Sequence, residues 1–320
     1  MNLIDMHCDT LMHLVRKPER SLGDADCHIS LEGMKEAGTL AQFFACFTHL
    51  KDYREAGGYE DCYSQALDMI SCMERQISLF PEELAPGRSY EEIMKNKAEG
   101  KISAVLTVEE GGILNGKAER LDVLYGKGVR LMTPMWNYEN CLGHPNSNDE
   151  KMMEKGLKEF GIEIVERMGD LGMIVDVSHA SDGTFRDILN YATGPVVASH
   201  SNCRELCANP RNLSDEMIRA LAQKGGVCGL NFYGPFLGTK NASRTDEMAE
   251  HILHMIQVGG EEFPAVGTDF DGIDGMEHMD IPHVSKMGRL WDALKKRGVP
   301  ESRLELIWSG NALRVMKEIS

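Results

Sequence analysis

Eight short apolar runs recur along this chain of 320 residues, and stretches with helical periodicity separate most of them. The runs are rich in β-branched and other apolar side chains, as is typical of parallel strands buried on both faces. They span residues 3–9, 40–47, 102–109, 129–135, 173–179, 195–200, 227–233 and 264–270. Apolar residues three and four apart predict helices at 62–79, 117–126, 152–168, 183–191, 216–223 and 246–258. Eight strands that alternate with helices predict an α/β fold of the (β/α)8 TIM barrel type.

An open, doubly wound sheet is the alternative that the same alternation allows. A nucleotide-binding sheet of that kind carries GxGxxG after its first strand, but here the position holds acid and imidazole, His7-Cys8-Asp9. The barrel is therefore favoured. No Pro/Gly/Ser-rich linker, charge block or short repeat divides the sequence, so we predict a single barrel domain over residues 1–320.

The balance of charge restricts the partners of this chain. It contains 34 Lys and Arg against 50 Asp and Glu, which gives a net charge of −16. An acidic surface repels phosphate backbones and anionic lipid, and no cluster of Lys or Arg offsets this repulsion. Nucleic acid and membranes are therefore not expected as partners.

Cysteine usage and the terminal segments predict a cytoplasmic protein. The nine cysteines are an odd number and form no CxxC pair, which fits reduced thiols. The first residues meet an acid at Asp5, too early for a signal peptide. No apolar stretch is long enough to span a bilayer.

Ionisable side chains stand at the carboxyl ends of five of the eight predicted strands. In a barrel these ends converge on one mouth, where the active sites of this fold form. The side chains concerned are His7 and Asp9, Glu109 and Glu110, Asp176 and His179, His200, and Asp269 and Asp271. Taken singly, each has an ordinary explanation as a core histidine, a turn former or a helix cap. Taken together, they predict a functional site.

The donor set at these strand ends is suited to metal. Three neutral imidazoles with two or three carboxylates fit Zn²⁺ or Mn²⁺. Five ligands exceed what one tetrahedral zinc ion accepts, so two ions that share a carboxylate are the more economical interpretation. Two such ions can hold a bridging hydroxide and polarise a carbonyl or phosphoryl oxygen. The remaining carboxylate, Asp269, can then act as general base toward the nucleophile and as acid toward the leaving group.

Six ordered motifs contain these residues. They are Asp5-Met6-His7-Cys8-Asp9, Val108-Glu109-Glu110-Gly111-Gly112, Asp176-Val177-Ser178-His179, Ala198-Ser199-His200-Ser201, Asn209-Pro210-Arg211-Asn212 and Gly267-Thr268-Asp269-Phe270-Asp271-Gly272. Together with the tail Gly310-Asn311-Ala312-Leu313-Arg314-Val315, they resemble the membrane dipeptidase (renal dipeptidase) family, binuclear zinc peptidases on a (β/α)8 barrel. The resemblance covers nearly the whole chain.

The resemblance implies a role for each residue of the site. Two zinc ions would be bound, one by His7 and Asp9, the other by His179 and His200, with Glu110 as the bridge. Arg211 would hold the carboxylate of a dipeptide substrate, a bidentate task suited to guanidinium, and Asp269 would move the proton. It also implies that both substrate termini are held, often with tolerance of a D-residue at the C-terminal position.

One position departs from the family pattern. Family members commonly carry a histidine after the fourth strand that supports the substrate carbonyl, whereas Trp136 stands there in this chain. Indole donates one hydrogen bond and cannot become cationic, so this task passes to zinc or to Asn137. Trp136, Asn137 and Tyr233 join Arg211 as candidate substrate-binding residues. Long connections are predicted here, at 136–150, and after the second strand, at 48–61.

The leading hypothesis is a zinc-dependent dipeptidase that hydrolyses small dipeptides, L-L and also L-D, through a metal-bridging hydroxide. The alternative is a metal-dependent hydrolase of another small amide, lactam or ester on the same barrel, which only a substrate panel separates from the first. A barrel that binds metal or peptide without turnover is a third hypothesis, and the complete set of ligands with a proton shuttle argues against it. Barrels of this kind often form homodimers, although no interface is evident in the sequence.

Overall fold

Eight parallel strands close into a barrel in the computed structural model, which describes residues 1–24, 26–53 and 59–319. The strands in chain order are β1 (Leu3–Cys8), β2 (Thr39–Phe47), β3 (Leu84–Pro86), β4 (Ile102–Glu109), β5 (Val129–Thr133), β6 (Ile174–Asp176), β7 (Val196–Ser201), β8 (Cys228–Leu230), β9 (Ala242–Ser243), β10 (Pro264–Val266) and β11 (His278–Met279). The order around the barrel is β2-β1-β10-β8-β7-β6-β5-β4, and pairing between β2 and β4 closes it. The predicted (β/α)8 barrel is thus confirmed, with a strand in each of the eight predicted positions.

The three remaining strands lie outside the ring. β3 pairs with the first residues of β4, on the part of that strand that precedes its pairing with β5. β9 and β11 form a separate two-stranded parallel sheet. The predicted connection 48–61 includes residues 54–58, which lie outside the described part of the chain.

Helices follow most of the strands. They are α1 (Thr10–Arg16), α2 (Leu31–Ala37), α3 (Leu50–Tyr53), α4 (Tyr59–Leu79), α5 (Tyr90–Ala98), α6 (Glu119–Gly126), α7 (Glu150–Met153), α8 (Glu159–Leu171), α9 (Asp182–Tyr191), α10 (Asp215–Gln223), α11 (Gly234–Leu237), α12 (Thr245–Gly259), α13 (Gly288–Lys296), α14 (Glu301–Glu305) and α15 (Asn311–Glu318). Short 3₁₀ turns occupy Gly111–Leu114 and Val284–Lys286, and Leu306–Gly310 forms a π-helical turn. No helix in the described ranges has both the length and the hydropathy of a membrane span.

The prediction of one helix over 152–168 is wrong, because α7 and α8 are separated there. The backbone N–H of Leu157 donates to Oδ2 of Asp187 at 2.8 Å, and Nδ1 of His144 lies 2.8 Å from the carbonyl oxygen of Gly156. A Cβ at position 156 would stand 1.8 Å from the Asp187 carboxylate, so this close approach requires glycine. These contacts with other segments replace the helical hydrogen bonds.

The barrel interior is filled and closed at its amino end. One buried apolar cluster receives side chains from all eight barrel strands or the residue just before them: Ile4, Met6, Leu40, Ala41, Phe43, Val105, Leu131, Ile174, Val197, Val227 and Ala265. The same cluster contains Ala312, Val315 and Met316 of α15. This C-terminal helix therefore covers the bottom of the barrel, and the opposite end remains the place for a site.

Candidate active site and metal centre

Three imidazoles and one carboxylate meet at the carboxyl end of the barrel. Glu109 ends β4, and its Oε1 lies 2.8 Å from Nε2 of His179 and 3.4 Å from Nε2 of His200. Its other oxygen, Oε2, lies 3.3 Å from Nε2 of His7 in β1. The rings of His7 and His200 stack with centroids 3.7 Å apart. One carboxylate thus faces all three imidazoles, with one oxygen toward His7 and the other toward the pair.

Glu110, the residue predicted to bridge two metal ions, lies outside this cluster. Its buried carboxylate accepts hydrogen bonds from the backbone N–H of Gly112 at 2.8 Å and of Trp136 at 3.3 Å, and from the side-chain amide of Asn140 at 2.5 Å. The backbone turns at Glu110, where φ is 100°. The structure therefore places Glu109, and not the predicted Glu110, among the three imidazoles. Glu110 instead fastens the loop after β5 to the end of β4.

Period-two alternation along β4 separates the two glutamates. One set of alternate residues belongs to the apolar layer between the barrel and its helices: Ile102, Ala104, Leu106 and Val108. Val105, from the other set, lies in the barrel interior. Glu109 shares the parity of Val105 and so faces inward, whereas Glu110 would continue the outer row. This alternation is the signal in the sequence that selects Glu109.

Two aspartates complete the His7 side of the cluster. Nε2 of His7 lies 3.5 Å from Oδ2 of Asp9 and 3.8 Å from Oδ1 of Asp269. The backbone N–H of Asp269 donates to the carbonyl oxygen of His7 at 3.2 Å, so the segment after β10 runs beside the end of β1. Asp269 has a left-handed backbone with φ of 62°, an uncommon conformation for a residue other than glycine. The structure thus places Asp269 at the carboxyl end of the barrel, where the sequence predicted it.

Asn231 holds Asp269 and was missed by the sequence analysis. Its side-chain amide donates to Oδ2 of Asp269 at 2.9 Å, and its Oδ1 accepts from the backbone N–H of Tyr233 at 2.7 Å. The Asn231 side chain is fully buried just after β8. A polar residue at a strand end is the one sequence signal it offers.

A buried carboxylate behind the cluster orients His200. Asp176 accepts hydrogen bonds from the hydroxyls of Ser178 and Ser199, both at 2.6 Å, from that of Thr133 at 2.7 Å, and from two backbone N–H groups. Because the Ser199 hydroxyl donates to Asp176, its oxygen accepts from Nδ1–H of His200 at 2.7 Å. Nε2 of His200 is therefore left unprotonated, as a metal ligand requires.

His179 is fixed in the same tautomer. Nη2 of Arg211 lies 3.0 Å from Nε2 of His179, and since guanidinium only donates, Nε2 must accept. The proton then resides on Nδ1, which donates to Oδ1 of Asn137 at 3.0 Å. The predicted site residues Asn137 and Arg211 thus both contact a candidate ligand.

Burial and charge shift the pKa values of the cluster. Burial lowers the pKa of His179 to about 4 and that of His200 well below its usual value, so both imidazoles are neutral. Burial opposes protonation of His7 as well, but the carboxylates of Glu109 and Asp9 outweigh it and raise its pKa. Burial raises the pKa of Asp269 to about 7.

The residues of this cluster fit a metal centre. Both ring nitrogens of His7 and Oδ1 of Asp9 are buried without a hydrogen-bond partner, a rare state for polar atoms in native proteins. The unprotonated Nε2 atoms of His179 and His200 lie only 3.1 Å apart, with a carboxylate oxygen of Glu109 beside both. Lone pairs that converge in this way repel one another unless a cation binds them. Two groups of three residues offer donor atoms that could share an ion, His7–Glu109–His200 and His7–Asp9–Asp269. Within each group, the three donor atoms all lie within 4.8 Å of one another.

The cluster forms the floor of a cavity of about 510 Å³. All four predicted substrate-binding residues line it: Arg211, Asn137, Trp136 and Tyr233. The indole of Trp136 makes edge-to-face contacts with Phe47 and His49, at centroid distances of 4.9 and 5.1 Å, and these rings form one wall. A cavity of this size is suited to a small molecule.

Arg211 is the cation at the edge of the floor. The residue is 5% exposed, and its guanidinium carbon lies 5.4 Å from the ring centroid of Phe236. It donates to the carbonyl oxygens of Ser178 and His200 and to the hydroxyl of Ser201, while its Nε has no hydrogen-bond partner. A buried guanidinium beside a metal-ligand cluster is suited to a carboxylate.

Comparison with known proteins places the chain in a family. The sequence profile of the membrane dipeptidase family, peptidase family M19, matches residues 1–320. The chain belongs to the membrane dipeptidase family. This family member is accordingly a metal-dependent peptidase of the dipeptidase class, and the predicted family and enzyme type are confirmed.

Two curated relatives are about one third identical in sequence to this family member over the aligned residues. One is an uncharacterized protein in the pqqA 5′ region of Klebsiella pneumoniae, 32% identical over 269 residues that cover 79% of this chain and 97% of the relative. The other is an uncharacterized dipeptidase of Schizosaccharomyces pombe, 31% identical over 300 residues that cover 91% of this chain and 72% of the relative.

A solved structure shares the fold of this family member over its whole length. It is a metallo peptidase from Rhodobacter sphaeroides liganded with a phosphinate mimic of the dipeptide L-Ala-D-Ala. The TM-score is 0.91 at 23% identity, and the match covers 100% of this chain and 99% of the other. At that identity the likeness shows a common barrel.

Proposed function

We propose that this family member is a binuclear zinc dipeptidase that hydrolyses small L-L and L-D dipeptides. The observation that carries the proposal is the position of Glu109, whose two oxygens face His7 on one side and His179 with His200 on the other. A carboxylate between two sets of nitrogen ligands is the arrangement that a shared ligand of two metal ions requires. The phosphinate mimic of L-Ala-D-Ala in the Rhodobacter sphaeroides relative supports the inclusion of L-D substrates.

The residues divide into two candidate ligand groups. His7 and Asp9 would hold one ion, His179 and His200 the other, and Glu109 would bind both. When bound, divalent ions act as Lewis acids that polarise a peptide carbonyl and activate water. Nitrogen and oxygen ligands without thiolate fit zinc and also manganese, and three imidazoles favour zinc.

Asp269 is the proposed proton carrier. It lies within 3.8 Å of Nε2 of His7, lines the cavity, and is held by the amide of Asn231. As a carboxylate it takes a proton from the attacking water, and as an acid it returns that proton to the leaving amine. Besides the proposed ligands Asp9 and Glu109, the carboxylates that line the cavity are Asp269 and Asp274, and of these two Asp269 contacts an imidazole of the cluster.

Arg211 is the proposed holder of the substrate carboxylate. Its buried guanidinium borders the cavity beside His179, and its buried Nε has no hydrogen-bond partner within the protein. Binding the free carboxylate of the substrate next to the ligands sets the distance to the scissile bond. A substrate longer than two residues would place its carboxylate too far from Arg211 when its bond is at the metal centre.

Metal content and turnover test the proposal together. Zinc-loaded protein is assayed by mass spectrometry for metal and against L-L and L-D dipeptides, with small amides, lactams and esters as the competing class. We expect dipeptide hydrolysis, loss of zinc and activity in His200→Ala, and retention of both in His278→Ala, a control at an exposed histidine. Asp269→Asn should keep zinc and lose about 100-fold or more in kcat. Zinc-loaded protein that leaves every dipeptide intact would refute the proposed activity.

A further inference from the structure

A second compartment adjoins the catalytic cavity on the far side of Arg211. It has a volume of about 410 Å³ and shares four lining residues with the main cavity: Asn137, His179, Arg211 and Phe236. The two spaces therefore form one cleft, with the guanidinium of Arg211 at their junction. A group that Arg211 holds can therefore extend from the main cavity into the second compartment.

The lining of this compartment is polar and almost uncharged. Besides the shared residues it consists of Asn146, Ser147, Asn148, Asn209 and Pro210. Carboxamide side chains thus dominate the wall, and Arg211 is the single cation. No carboxylate lines the compartment in the described part of the chain. Phe236 and Pro210 supply an apolar flank.

The walls of the compartment are fixed by hydrogen bonds. The backbone N–H and the side-chain amide of Asn146 both donate to the carbonyl oxygen of His179, at 2.8 and 3.1 Å. On the opposite side, Oδ1 of Asn209 accepts from the backbone N–H of Arg211 at 3.0 Å. The compartment is therefore a preformed feature attached to a candidate ligand and to the proposed carboxylate holder.

We propose that this compartment receives the side chain of the residue that bears the substrate's free carboxylate, and that it selects a side-chain carboxamide. This inference rests on the proposed function, in which Arg211 holds that carboxylate. The side chain leaves the adjacent carbon atom, so it lies beside Arg211, where the compartment opens. Carboxamides on the wall both donate and accept, which matches the carboxamide of glutamine or asparagine.

Charged and apolar side chains fit this lining less well. An acidic side chain would find no cation beyond the one already paired with the main-chain carboxylate. A basic side chain would find no carboxylate and would lie next to Arg211. An apolar side chain of similar length would leave the wall amides without the partners that water had supplied, which costs binding energy. The apolar flank of Phe236 and Pro210 suits the methylene groups of glutamine.

Four dipeptides with side chains of similar length test the selection. Ala-Gln, Ala-Glu, Ala-Met and Ala-Lys are compared by kcat/KM, with either configuration at the second residue, and Ala-Gly serves as the reference without a side chain. We expect Ala-Gln to exceed the other three by about tenfold or more in the accepted configuration, as two or so hydrogen bonds allow. If Ala-Gly is hydrolysed and the other four dipeptides have equal kcat/KM, this inference is overturned and the proposed function stands. Failure to hydrolyse any of the five would overturn both.

A variant of the wall links the preference to the compartment. Asn148→Leu removes a carboxamide from an exposed wall position and should lower the ratio of kcat/KM for Ala-Gln to that for Ala-Gly by about fivefold or more. Asn190→Leu makes the same change at an exposed position on α9, outside the compartment, and should leave that ratio unchanged. An unchanged ratio in Asn148→Leu, or an equal fall in both variants, contradicts the assignment. The comparison of dipeptides on the unaltered protein decides the question if the variant does not fold.

Discussion

Glu109 and Glu110 are neighbours in the chain, yet their carboxylates have different partners and different tasks. Glu109 faces three imidazoles, whereas Glu110 accepts three N–H donors from the loop after β5 and from Gly112. Both are buried, and each is paired with groups that the other cannot reach. At the scale of single residues, the site is therefore built from a carboxylate that faces the ligands and another that holds the adjoining wall.

Exchange of each glutamate for glutamine separates the two tasks. Glu109→Gln replaces one acceptor oxygen with a donor amide at the shared position, so we expect loss of bound zinc and of activity. Glu110→Gln keeps an acceptor oxygen for Asn140 or Trp136 and should retain zinc, with a lower kcat/KM from a less ordered wall. Metal analysis and dipeptide kinetics on both variants measure this. Zinc loss in Glu110→Gln with retention in Glu109→Gln would restore Glu110 as the bridge.

Loss of the Asp176 carboxylate should weaken metal binding, although Asp176 is not itself a proposed ligand. Asp176→Asn introduces an N–H₂ group opposite hydroxyls that now donate to the carboxylate, so Ser199 no longer fixes the tautomer of His200. We expect zinc affinity to fall by about 10–100-fold, as is usual for residues that orient a ligand. Competition with a chromophoric chelator measures the affinity. Thr133→Val removes only one of the hydroxyl donors and should have a smaller effect; equal affinity in all three proteins would refute the role of Asp176.

At the scale of elements, the turn after β10 determines where Asp269 lies in the site. Asp269 and Asp271 both have a left-handed backbone, with φ of 62° and 66°. Asp271 ties the turn to neighbouring segments through the Thr10 hydroxyl at 2.6 Å and the backbone N–H of His28 at 2.7 Å. Gly272 then passes so close to the cluster that there is no room for a side chain. This turn delivers Asp269 to the floor of the cavity and keeps it beside Asp9.

A methyl group at position 272 tests this close approach. A Cβ there would stand 2.1 Å from Oδ2 of Asp9 and 2.7 Å from Oδ1 of Asp269, so Gly272→Ala must displace both carboxylates. We expect kcat/KM to fall by about 100-fold, since a shift of about 1 Å at a reacting group has effects of that size. Gly126→Ala is the matched control, because a Cβ in that position meets nothing within 4 Å. Dipeptide kinetics on both variants measure the effect. Activity in Gly272→Ala equal to that of the unaltered protein would contradict the prediction.

The sequence predicted the positions of the barrel strands better than it predicted helix boundaries and the contacts between distant residues. The alternation of apolar runs and helical periodicity placed all eight barrel strands, because buried parallel strands need continuous apolar runs. The break between α7 and α8 could not be predicted, since it depends on Asp187, thirty residues along the chain from Leu157. Asn231 was likewise beyond prediction, because its task exists only once β8 and β10 are neighbours.

The pairing of β1 is irregular in a way that the sequence did not predict. The pairing of β1 with β2 shifts register between Asp5 and Cys8, so the pattern is interrupted within the strand. Asp5 contacts Thr268 through two hydrogen bonds, at 2.9 and 2.7 Å, and supports the neighbouring strand ends. Despite this irregularity, Nε2 of His7 lies 3.5 Å from Oδ2 of Asp9, so both side chains reach the mouth of the barrel.

The molecule as a whole is closed at one end by its C-terminal helix. The side-chain amide of Asn311 donates to the carbonyl oxygens of Pro264 at 2.8 Å and Glu261 at 3.0 Å, at the start of β10. Ala312, Val315 and Met316 then enter the apolar interior of the barrel. The tail motif that accompanies the six site motifs is therefore part of the barrel's base, at the end opposite to the proposed metal ligands.

Loss of the Asn311 amide should lower stability without altering catalysis. Asn311→Ala leaves two buried carbonyl oxygens without their donor, and we expect the free energy of unfolding to fall by about 1–3 kcal/mol. Urea denaturation followed by fluorescence measures the change, and dipeptide kinetics at low temperature should give an unaltered kcat/KM. Asn190→Ala, at an exposed position, is the control and should change neither quantity. A fall in kcat/KM with unchanged stability would contradict this assignment.

Metal should stabilise the entire barrel, because its proposed ligands come from strand ends all around the mouth. A ligand that binds only the folded state at 1,000 times its Kd adds about 4 kcal/mol to the free energy of unfolding. We therefore expect the Tm to fall on chelation and to recover with zinc. Glu109→Gln should show a much smaller difference between the two conditions. An equal Tm with and without zinc in the unaltered protein would speak against a metal held between strands.

The base of the barrel sets an order of events during synthesis. β1 is synthesised long before its partner β10, and the interior that it helps to line is covered by α15, which is synthesised later still. A nascent chain that lacks residues 311–319 would thus leave the apolar base of the barrel uncovered. His7 and Asp9 are synthesised long before Asp269, which reaches them only after β10 has been added. In the proposed site, metal that bound His7 and Asp9 before that point would therefore do so without the proposed proton carrier.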